Sequence, residues 1–247
     1  MNFGELRTGA DDPRMAAGRE LINRLRAGVI VSCQTSQQNP LHGPVFAAAL
    51  AVAAEMGGAR GVRADGPAYV AAISGRIAVP LMGINTIERA GSPVRITPTF
   101  ADAQAVVWAG AQIVSVDGTT RTRPDGVSLA ELMDRIHREL GVPIQADVAT
   151  MEDAIAARAA GADLVGSSIT GYDGPQAAAE PDIDLVRALV RELDCPVIAE
   201  RHFSTPEQIR AAFDVGAHAV IVGSAITDVA AITRRLVAAS CPGVPRP

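Results

Sequence analysis

Two acidic residues close short apolar segments of the chain, and both are candidates for acid–base chemistry. Asp147 ends the run Pro143–Asp147, and Glu200 ends the run Pro196–Glu200. Two carboxyl groups in different environments can divide the roles of proton acceptor, proton donor and orienting group. Asp117 closes a similar run, but a loop anchor or a helix cap is the simpler explanation for an acid there. We therefore expect Asp147 and Glu200 to be catalytic.

Further polar candidates follow other apolar segments. Gly223 and Ser224 form a turn into a helix, where exposed backbone N–H groups can hold a phosphate, although an ordinary tight turn explains the motif equally well. Arg63 ends another run, where its guanidinium can clamp an anion. His202 lies two residues after Glu200 and is a plausible site residue, and a solvent-facing loop histidine explains it as well.

The chain contains no lysine among its 247 residues, so its 22 basic residues are all arginine. This excludes Schiff-base aldolase chemistry, lysine-anchored pyridoxal phosphate and a P-loop. The 4 histidines have no spacing that would bring three of them onto one ion, so we expect no metal site. Any catalytic acid or base must then be a carboxylate, His, Cys or Tyr side chain.

The elements that must position these residues are eight short runs rich in β-branched residues, which alternate with longer amphipathic segments. The runs are Gly28–Cys33, Arg60–Arg63, Val79–Ile84, Ile113–Asp117, Pro143–Asp147, Asp163–Gly166, Pro196–Glu200 and Ala219–Gly223. They lack strict apolar and polar alternation, which is typical of parallel strands that are covered on both faces. In a barrel of such strands, the polar residues at the strand ends meet at one mouth.

Helix-start and helix-stop signals separate the runs. Ser128-x-x-Glu131 and Thr205-Pro206-x-Gln208 predict capping boxes. Glycines at the helix-to-strand turns recur at intervals of 53, 51 and 55 residues, close to two βα units each; they are Gly57, Gly110, Gly161 and Gly216.

Eight strands over about 250 residues predict one (β/α)8 TIM barrel spanning residues 1–247, with flexible ends at 1–14 and 241–247. A doubly wound sheet is the rival, but no G-x-G-x-x-G follows the first strand.

The composition excludes some classes of binding partner and indicates the cellular compartment. The net charge of −5 argues against nucleic acid as a partner. The longest apolar stretch, 45–54, is too short to span a bilayer, and the first residues lack a signal-peptide core. The 3 cysteines are far apart and suggest a reducing cytosol. We expect a cytoplasmic protein with no nucleic acid and no membrane partner.

Nine stretches of the chain carry a recognisable order. They are VSCQ (31–34), GGARGVRADG (57–66), GSPVRITPTF (91–100), VDGTTRTRPDG (116–126), QADVAT (145–150), ADLVGSSITGY (162–172), PVIAE (196–200), TPEQ (205–208) and GAHAVIVGSAIT (216–227). In this order they resemble the N-acetylmannosamine-6-phosphate 2-epimerase family. A collinear set covering nearly everything from 27 to 238 is far more specific than any one of its members.

The resemblance implies a (β/α)8 barrel of bacterial sialic-acid catabolism that interconverts N-acetylmannosamine 6-phosphate and N-acetylglucosamine 6-phosphate by moving the C2 proton. It implies no metal or organic cofactor, an amino-sugar phosphate as the small-molecule partner, and leaves a homodimer possible. It also assigns the site: Gln34, Arg63 and Asp147 would contact substrate, Glu200 would be an acid/base, Gly223 and Ser224 would lie at the phosphate end, and Tyr172 would cover the mouth.

The chain departs from the family pattern in three places. An ungapped alignment places Thr86 where the family has a proton-transfer lysine, and a hydroxyl there could only relay a proton or hydrogen-bond substrate. Glu-Gly-Arg of the family is here Glu200-Arg201-His202. The arginine after Gly-Ser-Ala-Ile-Thr is here Asp228, which reverses a charge near the phosphate end. Alternatives to the family reaction are therefore another sugar or sugar phosphate, or sugar binding without catalysis.

Overall fold

Eight parallel strands close into a barrel in the computed structural model, which describes residues 13–169 and 180–240. The strands are β1 (Gly28–Ser32), β2 (Gly61–Asp65), β3 (Leu81–Ile84), β4 (Ile113–Asp117), β5 (Ile144–Asp147), β6 (Leu164–Gly166), β7 (Val197–Ala199) and β8 (Ala219–Val222). Each pairs with the next in chain order, and β8 pairs with β1. The predicted (β/α)8 barrel is confirmed, and the doubly wound alternative is excluded because the sheet closes on itself.

Helices lie between the strands and cover the outside of the barrel. They are α1 (Pro13–Leu25), α2 (Pro44–Met56), α3 (Pro67–Ile73), α4 (Phe100–Trp108), α5 (Leu129–Arg135), α6 (Met151–Ala159), α7 (Ile183–Glu192), α8 (Pro206–Asp214), α9 (Ser224–Thr227) and α10 (Val229–Ser240). Ile136–Leu140 continues α5 as a π-helical turn. Within the described ranges, none of the helices combines the length and the apolar character of a bilayer-crossing segment.

The chain starts its helices where the sequence signals predict. The Thr205 hydroxyl accepts from the backbone N–H of Gln208 at 3.3 Å, and the Gln208 side chain accepts from the Thr205 N–H at 3.2 Å, which completes a capping box. At the other predicted box only the first of the two bonds forms: the Ser128 hydroxyl accepts from the Glu131 N–H at 3.2 Å, without the return bond from the Glu131 side chain. These caps satisfy backbone donors that a helix start leaves unpaired.

Glycines with positive φ turn four helices back towards the barrel, as the internal repeat predicts. Their φ values are 90°, 115°, 111° and 96°, at Gly58, Gly110, Gly161 and Gly216. In the first turn the left-handed residue is Gly58, whereas the repeat pointed to Gly57, whose φ is −76°. Glycine adopts this conformation without the steric clash of a side chain, so the turns can be tight.

Apolar side chains and α1 close the amino-terminal end of the barrel, which we call the floor. Strand residues pack there in one buried cluster with Ile22 and Leu25 of α1; they are Ile30, Met82, Ile113, Leu164, Ile198, Ala219 and Ile221. A ring nitrogen of His218 lies 2.8 Å from the carbonyl oxygen of Ile22 and ties α1 to β8. With the floor sealed, polar side chains have access to solvent at the opposite end, the mouth.

Candidate active site

An ion pair crosses the mouth from β2 to the residue after β7. Nη1 of Arg63 donates to Oε2 of Glu200 at 2.8 Å, and Nη2 of Arg63 donates to Oε1. Arg63 is only 5% exposed. Burial is the largest single effect and disfavours the charge, but the surrounding acidic groups, with Glu200 first among them, together outweigh it and raise the pKa of Arg63. The bidentate pair holds the Glu200 carboxylate in a fixed orientation at the mouth.

Asp147 at the end of β5 is fully buried, with 0% exposure. Its Oδ1 accepts from Nε2 of Gln145 at 2.7 Å, and its Oδ2 has no hydrogen-bond partner among the described residues. Burial, reinforced by the nearby charge of Glu200, raises the pKa of Asp147 to about 8. This carboxyl group is therefore protonated at neutral pH, which keeps a second negative charge away from Arg63.

A cavity of about 490 Å³ opens above the ion pair and gathers six of the predicted site residues. These are Gln34, Arg63, Glu200, His202, Gly223 and Ser224. They meet because each follows a strand whose carboxyl end faces the mouth. Asp147 and Thr86 do not line the cavity, so direct substrate contacts from those two residues stay predictions.

Three guanidinium groups line the same cavity. Arg63 and Arg201 come from the ends of β2 and β7, and Arg235 comes from α10. Arg235 was not predicted from the sequence. A signal for it exists, since α10 begins just after the β8 turn that was predicted to hold phosphate. Among the described residues that line the cavity, three guanidinium groups beside one carboxylate, Glu200, give a net positive charge that suits an anionic ligand.

A second cavity, of about 330 Å³, lies beside the first and shares Gln34 with it. Its wall includes Asp65, the last residue of β2, with His42 and Tyr69. Asp65 was not predicted from the sequence, because the predicted strand ended at Arg63. Alternation of side chains along a strand nevertheless places residues two apart on one face. Oδ1 of Asp65 accepts from the backbone N–H of Thr86 at 2.8 Å.

The backbone after Glu200 is left-handed at two successive residues that are not glycine. The φ values are 80° at Arg201 and 62° at His202. Nη1 of Arg201 donates to the carbonyl oxygen of Ser168 at 3.3 Å, and its Nε donates to Nε2 of His202 at 3.3 Å. Burial and the Arg201 charge lower the pKa of His202, in keeping with an accepting ring nitrogen. Strain of this kind is characteristic of functional sites.

Asp228 does not line the cavity, and its carboxylate instead caps the start of α10. Its carboxylate accepts from the backbone N–H of Ala231 at 2.9 Å in the first turn of α10, and from Nδ2 of Asn39 at 3.2 Å. A carboxylate at a helix start is stabilised by the helix dipole. The negative charge at this position is therefore stabilised by the start of α10 and by Asn39.

Of the two remaining candidates, one does not line either of these two cavities and the other lies outside the described residues. Asp117 anchors its loop as expected, because its Oδ1 accepts from the backbone N–H of Thr119 at 2.9 Å. Tyr172, expected over the mouth, lies outside the described residues. Among residues 13–169 and 180–240, no three His, Cys, Asp or Glu side chains are grouped so that they could hold a metal ion.

The closed barrel and the carboxylate–guanidinium site at its mouth define a (β/α)8-barrel enzyme equipped for acid–base chemistry on an anionic small molecule. A family model described as "Putative N-acetylmannosamine-6-phosphate epimerase" matches residues 47–240. The chain belongs to this family.

Relatives and solved structures agree with that membership. A protein of Cutibacterium acnes named "Putative N-acetylmannosamine-6-phosphate 2-epimerase" is 44% identical over 216 residues, 86% of this chain and 93% of its own. One of the same name from Synechococcus elongatus is 42% identical over 85% of this chain and 92% of its own.

The solved N-acetylmannosamine-6-phosphate 2-epimerase of Clostridium perfringens superposes with a TM-score of 0.84 at 32% identity, over 88% of this chain and 95% of that one. A thiamine phosphate pyrophosphorylase of Pyrococcus furiosus, 18% identical with a TM-score of 0.54, shares the fold alone.

Proposed function

We propose that this protein interconverts N-acetylmannosamine 6-phosphate and N-acetylglucosamine 6-phosphate. The reaction removes the proton at C2 of the open-chain sugar and returns it with inverted configuration. The observation that carries the proposal is the Arg63–Glu200 pair, which lines a cationic cavity in a chain of this family. In sialic-acid catabolism this step links the two amino sugars.

Glu200 is the proposed proton-transfer carboxylate. The C2 proton lies next to the C1 aldehyde, so its removal leaves an enolate whose charge rests largely on O1. A carboxylate has about four lone-pair sites, so the bidentate contact with Arg63 leaves others free to accept the proton. Arg63 then lies close to both the base and the developing enolate oxygen, and it stabilises the negative charge.

Asp147 has a supporting role in this proposal. As a neutral acid below pH of about 8, it allows Arg63 to pair with Glu200 alone. Once ionised it would compete for the same guanidinium. Its unpartnered Oδ2 is the atom through which a direct contact with substrate, if it forms, would be made.

The phosphate group is placed at the β8 side of the cavity. Gly223 and Ser224 line that side, and the exposed Arg235 side chain of α10 lies at the same cavity. A phosphate dianion attracts a guanidinium strongly and can be bound through two parallel hydrogen bonds. Arg235 would therefore supply the cation that Asp228 does not.

An assay of epimer interconversion with the purified protein tests the proposal. Each 6-phosphate is incubated with the enzyme and the other epimer is followed by NMR, in parallel with the unphosphorylated sugars. We expect conversion of both phosphates and a far lower kcat/KM for the free sugars. Binding without conversion would indicate a sugar sensor, and conversion of the free sugars alone would assign a different substrate.

The proposal extends to assembly and compartment. We infer one barrel domain that forms a homodimer in the cytoplasm. Large apolar side chains on the outer helices support self-association, for example Met56 and Trp108, which are 84% and 75% exposed. Cys33 and Cys195 are free thiols, as a reducing compartment allows. Light scattering on the full chain distinguishes dimer from monomer.

A further inference from the structure

Epimerisation makes a geometric demand that Glu200 alone does not meet. The proton leaves one face of the C2 carbon, and a proton must arrive at the opposite face to invert the configuration. A fixed carboxylate on one side serves one face. The residue at the family's lysine position, Thr86, has a hydroxyl whose pKa is far too high for a free base.

The backbone at Thr86 is bonded to a carboxylate that can meet this demand. Oδ1 of Asp65 accepts from the Thr86 N–H at 2.8 Å, so the two residues are neighbours at the ends of β2 and β3. Asp65 and Arg63 lie two residues apart on β2 and share one face of the strand, about 7 Å apart along it. Asp65 therefore lies nearer the mouth than Arg63, on the β2 side.

The two carboxylates line two neighbouring cavities at the mouth. Glu200 lines the larger cavity and is bonded to the guanidinium end of Arg63. Asp65 lines the smaller cavity, which shares Gln34 with the larger one. The charge of Asp65 also contributes to the raised pKa of Arg63, so the two side chains interact electrostatically. A sugar that extends from Arg63 past Gln34 into the smaller cavity would contact both Glu200 and Asp65.

We propose that Asp65 is the second proton-transfer group, serving the face of C2 opposite to Glu200. This inference rests on the epimerase function proposed above. In one direction, Glu200 takes the C2 proton, the C–H electron pair becomes the enolate, and the carboxylic acid of Asp65 protonates C2 on the other face. Glu200 ends protonated and Asp65 ionised, and the reverse reaction or exchange with water resets them.

The surroundings of Asp65 suit a group that must hold and release a proton. Burial raises the pKa of Asp65, which brings its protonated form closer to neutral pH. The cavity also holds His42, whose ring nitrogens lie 3.1 Å and 3.2 Å from the Tyr69 hydroxyl. The Thr86 N–H holds Oδ1 of Asp65 at 2.8 Å, and the Thr86 side chain also hydrogen-bonds to this carboxyl group, so Thr86 orients it.

Deuterium exchange at C2, measured separately from each epimer in deuterated water, tests the assignment. Asp65→Asn keeps an oxygen that can accept from Thr86, so the fold should survive. We expect it to lose interconversion by about 10²–10⁴-fold while C2 exchange continues from one epimer and stops from the other. In Glu200→Gln, C2 exchange should stop from the epimer that still exchanges in Asp65→Asn and continue from the other epimer. Asp134→Asn, the same change on the exposed face of α5, is the matched control and should match wild type.

The outcomes separate the inference from the function on which it rests. Interconversion by Asp65→Asn at the wild-type rate would overturn the inference, as would equal loss of exchange from both epimers. The one-sided pattern in His42→Asn or His202→Asn, with Asp65→Asn unaffected, would assign the role to that histidine instead. Absence of both exchange and conversion in wild type would refute the epimerase function itself.

Discussion

The mouth and the floor of the barrel are built on opposite principles. At the floor, Ile22 and Leu25 seal an apolar cluster, and the carbonyl oxygen of Ile22 is partnered by His218. At the mouth, a buried carboxyl oxygen of Asp147 has no hydrogen-bond partner within the described part of the chain, and Arg201 has a left-handed backbone. The floor stabilises the fold, whereas the mouth holds groups for chemistry in an arrangement that lowers the stability of the fold.

The first consequence concerns the ion pair at the mouth. Glu200→Gln keeps an acceptor for Arg63 but removes the proton-transfer carboxylate, so we expect kcat/KM to fall by about 10²–10⁴-fold. Initial rates with either epimer measure the loss. Glu139→Gln, which removes a carboxylate from an exposed pair with Arg135, is the control and should leave the rate unchanged. Full activity of Glu200→Gln would contradict the proposed mechanism.

The reverse pattern is expected at the floor. Leu25→Ala removes a side chain that is 1% exposed and should lower the free energy of unfolding by roughly 2–5 kcal/mol. Activity of the folded fraction at low temperature should stay within about two-fold of wild type, because Leu25 lies at the end of the barrel opposite the site. Urea denaturation and rates on the same sample measure both. A large loss of activity without a loss of stability would contradict the claim that the floor serves stability and the mouth serves activity.

Asp147 makes the stability of the mouth dependent on pH. The folded chain keeps this proton up to about pH 8, whereas the unfolded chain releases it near the ordinary carboxyl pKa of about 3.9. Between those values the unfolded state binds fewer protons, so stability falls as pH rises, by about 1.4 kcal/mol per pH unit from this group.

Asp147→Asn removes that titration and should flatten the slope. The difference in unfolding free energy between variant and wild type, measured by urea denaturation from pH 5 to pH 7, should grow in favour of the variant as pH rises. Asp134→Asn, an exposed acid on α5, serves as the comparison. Parallel pH profiles for wild type and Asp147→Asn would show that the buried carboxyl titrates normally.

The left-handed backbone at Arg201 predicts the smallest effect. Arg201→Gly and Arg201→Ala lose the same guanidinium, but glycine adopts φ of 80° without the clash that alanine keeps. We therefore expect Arg201→Gly to be more stable than Arg201→Ala by about 1 kcal/mol. Urea midpoints of the pair give the difference directly, and equal midpoints would mean that the backbone there carries no strain.

The sequence predicts the barrel and much of the mouth for a physical reason. Strand ends of a closed parallel sheet must converge, so Gln34, Arg63 and Glu200 could be placed together from their positions after apolar runs. Asp65 was missed because polar strand ends are hard to delimit in a sequence. The depth of Asp147 and the approach of Arg235 depend on how strands and α10 pack, which no local pattern encodes.

The central claim is that this lysine-free chain moves the C2 proton through the carboxylates beside Arg63. The most direct measurement is proton NMR of N-acetylmannosamine 6-phosphate with the purified protein in deuterated water. We predict loss of the C2–H signal and appearance of N-acetylglucosamine 6-phosphate that carries deuterium at C2. An unchanged C2–H signal after prolonged incubation with folded protein would contradict the account.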